Sequence, residues 1–233
     1  MQLFYNSNIE SELFIEKEEH IHATKVLRKK NGDSIYIMNG KGDLFLCTID
    51  EIASKKTLIS IVKKETFPKQ SNLHIAIAPT KNNNRMEFFL EKATEIGLAE
   101  ITPILCERSE RKVIKKDRME KIILSAAKQS KNFHLPVFNE MISFSQFLQA
   151  NKSENKLIAH CEDEEEKKEL FSYGFSKNEK IILLIGPEGD FTNNEITLAK
   201  KHQFKELSLG ETRLRTETAG IVATTHYNLL QND

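Results

Sequence analysis

The chain has 233 residues, of which 39% are hydrophobic and 29% charged, enough for one large domain or two modest ones that fold without covalent staples. Lys and Arg total 34 and Asp and Glu total 34, so the formal net charge of +0 excludes whole-molecule attraction to nucleic acid or membrane, and any such contact must come from local patches.

The three cysteines, Cys47, Cys106 and Cys161, are dispersed without a Cys-x-x-Cys pair, which argues against a disulfide framework or a thiolate zinc site and fits a reducing cytoplasm. The start Met1-Gln2-Leu3-Phe4-Tyr5-Asn6 lacks the basic and apolar regions of a signal peptide. No apolar run approaches the roughly 20 residues that span a bilayer. A soluble cytoplasmic protein is expected.

From Met1 to about Phe67 the pattern is strand-rich, with one helix predicted around Glu18 to Arg28. Ser34 to Met38 and Leu44 to Ile49 flank Asn39-Gly40-Lys41-Gly42, a hairpin signal, and Leu58 to Val62 adds a strand, so a small β-barrel is expected. Arg28-Lys29-Lys30, with Lys25 one helical turn earlier, suits either phosphate contacts or a solvated basic face. His20 and His22 lack a third ligand, and no metal site is expected. The polar stretch from Lys63 to Asn72 sets a boundary between a domain of residues 1–70 and one of residues 71–233.

Leu73 to Ala78 opens the second domain as a strand, followed by a helix with Asn84 as its expected cap and Glu87 three positions on. Met86, Phe89, Leu90, Ala93 and Ile96 form its core face, Gly97 stops it, and Lys81, Arg85, Glu91, Lys92 and Glu95 occupy the entry and the other face. Glu91 and Glu95 read as surface ion-pair partners rather than paired acids. Ile101 to Leu105 is the next strand, and Pro103 implies an irregularity or an edge there.

Arg108, Arg111, Lys112, Lys115, Lys116 and Arg118 make the densest basic cluster, which suits an RNA backbone or a solvated loop. A helix capped by Asp117 is predicted to about Ser130, another from Ser143 to about Ala150, and a short strand from Leu157 to His160. The acidic run Glu162 to Glu166 reads as a solvated loop or helix start rather than a metal cage.

The organising stretch is Lys180 to Ala223. Ile181 to Ile185 is a continuous apolar run, as expected of a strand covered on both faces of a parallel sheet. Gly186-Pro187-Glu188-Gly189 turns sharply, with two glycines expected to permit positive φ and to leave main chain uncovered. Thr192 and Glu195 have capping-box spacing between Phe191 and Ile196. Glu206 to Leu209 is a strand ending at Gly210, and the loop to Arg215 leads to a helix with Thr216 as expected cap. Ligands in open α/β sheets bind outside the carboxyl ends of strands, where both loops emerge.

Ile-Gly-Pro-Glu-Gly (185–189), Leu-Ser-Leu-Gly (207–210) and Leu-Arg-Thr-Glu-Thr-Ala (214–219) together resemble the bacterial 16S ribosomal RNA (uracil-N3)-methyltransferases of the SPOUT class. The run Glu87 to Gly97 and the stretch His22 to Asp33 are similar to the same family, although Lys128, Lys131 and Asn132 depart from its pattern around Gln129-Ser130. The resemblance implies a C-terminal α/β domain with a deep trefoil knot holding S-adenosyl-L-methionine in a bent shape, a small N-terminal PUA-like RNA-binding β-barrel, a homodimer joined through the last helix, and 16S rRNA within the small ribosomal subunit as partner. It also places the loop after His160 beside the cofactor.

Cofactor contacts are expected from Ile185, Gly186, Gly189, Leu209, Gly210, Leu214 and Arg215, with Leu209 and Leu214 enclosing the adenine. Methylation at a uridine N3 needs a base, or a cation that stabilises negative charge on the ring. Arg215 is the candidate cation, and Glu188 either orients its loop or assists proton removal. RNA contacts are expected from Lys25, Arg28, Lys81, Arg85, Arg108 and Arg111. A knotted methyltransferase acting on another RNA, or a non-catalytic RNA-binding protein, are the alternatives. A phosphate loop at Gly186 to Gly189 lacks the surrounding Gly-x-x-x-x-Gly-Lys-Ser/Thr pattern.

Overall fold

The structure is a computed structural model that describes residues 2–69, 71–151, 153–162 and 167–232. Two compact units divide it: residues 1–69 with 127–135, and residues 70–126 with 136–233. Asp163 to Glu166, most of the acidic run singled out in the sequence, lie outside the described residues.

In the first unit, β1 (Leu3–Tyr5), β2 (Phe14–Glu16), β3 (Ser34–Met38), β4 (Asp43–Ile52) and β5 (Lys56–Thr66) form a five-stranded sheet in the order β1-β3-β4-β5-β2. Alternation puts Ile35, Ile37, Phe45, Cys47, Ile49 and Ile59 into one core with Phe4 and Ile15. The β3–β4 hairpin turns at Asn39 to Gly42, where Gly40 and Gly42 have φ of 76° and 101° and Asn39 Oδ1 accepts from the Lys41 N–H at 2.8 Å. The expected barrel is not closed by a ladder of main-chain bonds. Instead the Asn6 amide, just after β1, donates to the carbonyls of Glu12 and Phe14 at 3.0 and 2.9 Å and so links the two edge strands.

The helix predicted over Glu18 to Arg28 is one α-turn, α1 (Lys17–Ile21), running into a π-helical turn, His22–Val26. It ends before Arg28, whose φ is 53°. The stretch Ala127–Leu135, which the sequence reading left in the second domain, belongs to the first unit. Phe133 and Leu135 pack with Leu3, Met38 and Leu44, and the Gly42 N–H donates to the Phe133 carbonyl at 2.9 Å.

The second unit contains β6 (Leu73–Ile77), α2 (Asn83–Ile96), β7 (Glu100–Leu105), most of α3 (Lys116–Ser130), β8 (Val137–Phe138), β9 (Ile142–Ser143), α4 (Phe144–Ala150), β10 (Lys156–Ala159), β11 (Lys168–Glu169), β12 (Ile181–Ile185), α5 (Asn193–Lys201), β13 (Lys205–Ser208) and α6 (Thr216–Asn232). Its sheet runs β11-β13-β10-β12-β6-β7-β8, with β9 also on β7, and all these pairs are parallel. β6 and β12 are buried at every position, as continuous apolar strands in a parallel sheet require. Pro103 falls where the outer neighbour of β7 changes from β8 to β9, so its missing N–H costs no ladder bond there.

Three helix starts differ from the sequence reading. The cap of α2 is Asn82, whose side chain accepts from the Asn84 N–H at 2.9 Å, not Asn84 itself. Asp117 and Thr216 lie inside the first turns of α3 and α6 rather than capping them. Gly97, with φ of 117°, does end α2.

Because β10 sits between β12 and β13 and all three are parallel, their carboxyl ends open on one edge of the sheet. The loops after them must therefore meet.

Candidate active site

Those loops enclose a cavity of about 390 Å³, within the range of small-molecule sites. Ile185, Gly186, Leu209, Gly210, Leu214 and Arg215 all line it, as does Glu188. Gly189 does not: it sits against the stem of Arg108, whose Cβ is 3.4 Å from the point a Gly189 side chain would reach.

The glycines act differently from the expectation. Neither Gly186 nor Gly189 adopts positive φ; the left-handed residue of this turn is Asp190, at φ 62°. Gly186 is needed for close approach, since a Cβ there would stand 3.1 Å from the Phe191 ring and 3.2 Å from the Phe191 nitrogen. Gly210 has φ of 128°, and none of the described residues lies within 4 Å of where its Cβ would be. Its main chain therefore faces the cavity bare.

Side chains, more than glycines, tie the loops together. The Thr216 hydroxyl donates to the Gly186 carbonyl at 3.0 Å, joining the loop after β13 to the loop after β12. Asp190 Oδ2 accepts from the Cys161 N–H at 2.7 Å, joining the loop after β12 to the one after β10. Glu195, buried in the capping box of α5, accepts from the Thr192 N–H and, through its other oxygen, from the Glu107 N–H, each at 2.9 Å. Asp190, Glu195 and Thr216 as ties escaped the sequence reading. Only the capping-box spacing of Glu195 hinted at one of them.

At the cavity rim His160 Nε2 lies 2.8 Å from Glu206 Oε1, and Glu206 Oε2 lies 2.8 Å from Lys200 Nζ. Burial, with Lys167 beside it, holds the His160 pKa below the ordinary histidine value despite the Glu206 bond. The imidazole is thus neutral, donates from Nε2 to Glu206, and holds the end of β10 against β13. Partial desolvation, with the Asp190 carboxylate beside it, raises the thiol pKa of the exposed Cys161, which makes it a poor nucleophile.

Glu188 Oε1 accepts from the Lys81 N–H at 2.9 Å, which favours the loop-orienting role of the two weighed in the sequence. Arg215 is exposed and lines the cavity, and no ion pair or side-chain hydrogen bond involving its guanidinium occurs among the described residues. It can turn toward a ligand without breaking a contact.

Several of the expected RNA-contacting cations are engaged within the second unit. Arg108 donates to the carbonyls of Gly189 and Phe191 at 2.8 and 3.4 Å, and Arg111 to those of Thr80 and Lys81, so both brace loops. Lys81 pairs with Glu110 at 2.7 Å. Arg85 lies 3.6 Å from Glu217 in an adjoining groove, which shares Arg213, Leu214 and Arg215 with the cavity. Lys25 and Arg28, in the first unit, are exposed. Among the described residues no group of three His, Cys, Asp or Glu side chains is placed to hold a metal ion, and no helix is long and apolar enough to cross a membrane.

A parallel sheet with a loop-built cavity at its carboxyl edge, following a small β-rich unit, defines a class, and comparison with known proteins gives it a name. Residues 67–228 match the RNA methyltransferase domain, and residues 15–63 match the RNA methyltransferase PUA domain. A ribosomal RNA small subunit methyltransferase E from Rickettsia conorii is 30% identical over 98% of this chain and 95% of its own length. A solved structure of a probable rRNA-methyltransferase from Porphyromonas gingivalis superposes with a TM-score of 0.91 at 37% identity, over 100% of this chain and 99% of that one. The Neisseria gonorrhoeae ribosomal RNA small subunit methyltransferase E, solved bound to S-adenosyl methionine, superposes with a TM-score of 0.81 at 26% identity, covering 96% of this chain and 95% of that one. The chain belongs to the ribosomal RNA small subunit methyltransferase E family.

Proposed function

We propose that this protein transfers a methyl group from S-adenosyl-L-methionine to N3 of a specific uridine in 16S rRNA, within the small ribosomal subunit. The observation that carries the reading is the cavity itself: apolar walls from Ile185, Leu209 and Leu214, bare main chain at Gly210, and Arg215 on the wall shared with the groove beside it. An adenine fits between apolar walls while uncovered N–H and C=O groups read its polar edge. When bound, S-adenosyl-L-methionine supplies an electrophilic methyl on a sulfonium.

What remains for the protein is placement, exclusion of water, and charge. Glu188 and the Thr216 and Asp190 ties hold the loops stiff around the donor side. Arg215 stabilises negative charge on the uracil as N3 loses its proton. Lys25 and Arg28 in the PUA-like unit, with Lys81 and Arg85 in the other, contact RNA phosphates and position the substrate without reading its sequence.

A deep trefoil knot is part of the proposal. It is supported by the path after β13, which passes the end of β12 through residues 209–215 before α6 packs on α2, β6 and β12. A homodimer joined through the last helix is proposed as well, because Leu229 on α6 is 49% exposed. A cytoplasmic location follows from a ribosomal substrate.

The test uses small subunits from a strain lacking this gene, incubated with purified protein and methyl-labelled donor, followed by mass spectrometry of the nucleosides. 3-Methyluridine in 16S rRNA is expected. Label on another atom or another RNA would refute the target, and donor binding without any methylated nucleoside would refute the activity.

A further inference from the structure

Helix α2 and the start of α6 flank a more open groove of about 580 Å³, lined by Asn84, Arg85 and Phe88 on one side and by Arg213 to Arg215, Glu217 and Thr218 on the other. Glu217 is 7% exposed. Its Oε1 lies 3.6 Å from Arg85 Nε, whereas Oε2 is shielded from solvent and has no hydrogen-bond partner among the described residues. Burying a carboxylate oxygen without a donor is costly, and such an atom is commonly explained by function. The contrast within this chain is direct, because the other buried carboxylate of the site, Glu195, has a donor on each oxygen.

Two further features say what the missing donor is. The groove and the donor cavity share Arg213, Leu214 and Arg215, so a group seated in the groove has only that wall between it and the methyl source. Phe88, half exposed in the groove, offers a face on which an unstacked base can lie, the usual mode of single-stranded RNA recognition. Glu188 is less suited to the task, since one oxygen of its carboxylate is held on the Lys81 N–H.

We propose that Glu217 accepts the ring N–H of the target base in this groove and takes its proton during methyl transfer, an inference that rests on the function proposed above. The N3–H bond breaks with its proton passing to the Glu217 carboxylate. The bond from N3 to the methyl carbon forms as the methyl–sulfur bond breaks, and that electron pair stays on sulfur. The proton then leaves Glu217 for water. A carboxylate acceptor also selects the base: uracil presents a ring N–H at N3, whereas cytosine presents a lone pair there and is repelled. The charged groups facing Glu217 across the groove are Arg85 on α2 and Arg213 and Arg215 on the loop.

The experiment compares wild type, Glu217→Gln and Glu217→Asp under single turnover on small subunits across a pH series, with donor affinity measured by calorimetry. Glu217→Gln should slow methyl transfer by about 100-fold or more at neutral pH, the typical loss of a general base. It should leave donor affinity within about threefold, a loss confined to the chemical step. Its rate should then rise with pH as the base ionises unaided, and Glu217→Asp should fall between the two. Wild-type rates in Glu217→Gln, or losses in both variants that follow weakened donor binding, would overturn the inference while leaving the function intact. A wild type that methylates no RNA would overturn the function, and the inference with it.

Discussion

Gly220 offers a decisive test of how tightly the two helices that carry the groove are packed. It lies inside α6, where glycine costs about 1 kcal/mol relative to alanine by helix propensity alone, so Gly220→Ala would stabilise an isolated helix. The structure opposes this: a Cβ at 220 would stand 2.4 Å from Phe89 Cε2 and 2.6 Å from Cδ2. Phe89 is fully buried on α2 and cannot swing away. Relief requires the helices to part by about 1 Å, and overpacking of this kind costs about 1–3 kcal/mol. The packing cost should win, leaving Gly220→Ala less stable by up to about 2 kcal/mol. Urea unfolding followed by far-ultraviolet circular dichroism should then show a midpoint lower by up to about 1 M at unchanged slope. Phe89→Leu in the same background should recover part of the loss, a coupling expected of residues in contact. A midpoint that rises in Gly220→Ala would refute the reasoning, because helix propensity would then outweigh an interface able to open freely.

Arg215→Ala should lower turnover by about 100- to 1000-fold, the loss typical of one group stabilising transition-state charge, with a much smaller loss of donor affinity; equal losses in both would assign Arg215 to binding alone. Thr216→Val keeps the shape but removes the donor to the buried Gly186 carbonyl, so donor affinity should weaken by the equivalent of about 1–3 kcal/mol, and calorimetry showing no change would mean the two loops do not depend on this tie. His74 is buried beside Thr102, and burial pulls its pKa down to about 4. Its stabilising share is therefore complete above the unfolded histidine pKa near 6.5 and lost as pH falls toward 4, by at most about 3 kcal/mol. The urea midpoint should drop from about pH 7.5 to about pH 4.5, and drop less in His74→Gln; equal drops would remove His74 as the cause.

Local rules carried the sequence reading far where one residue type meets one physical demand. The run Ile181 to Ile185 could only be a strand covered on both faces, and Thr192 with Glu195 between Phe191 and Ile196 could only begin a helix; both stand as expected. Helix starts with several candidate caps were less legible. Asn82, Asn83 and Asn84 all have the right side chain, and only the observed bond to the Asn84 N–H selects Asn82. Ala127–Leu135 was beyond reach for a different reason, because nothing local tells Phe133 and Leu135 that their apolar partners are Leu3, Met38 and Leu44.

The site divides the same way. As lining of the cavity, Ile185, Gly186, Leu209, Gly210, Leu214 and Arg215 were legible because they lie in two short motifs at strand ends, whereas Gly189, expected beside them, packs against the stem of Arg108. The glycines were expected to shape the loops through positive φ and uncovered main chain. What holds them is a set of bonds from side chains to main chain between residues distant in sequence: Thr216 to Gly186, Asp190 to Cys161, Glu195 to Glu107 and Glu188 to Lys81. No periodicity records such pairs.

These ties also explain an asymmetry across Leu214 and Arg215. On the cavity side, the main chain of the loops after β10 and β12 is fixed by carboxylates and a hydroxyl, so the order a donor needs is present before it binds, and little entropy is left to lose. On the groove side, Arg215 has no side-chain partner among the described residues, Phe88 is half exposed, and one oxygen of Glu217 lacks a donor. A small diffusible ligand rewards a rigid pocket. A nucleotide drawn out of folded RNA brings its own hydrogen bonds and stacking face, and a groove with unfilled valences can be completed by the correct base alone, so that the substrate supplies the last part of the site.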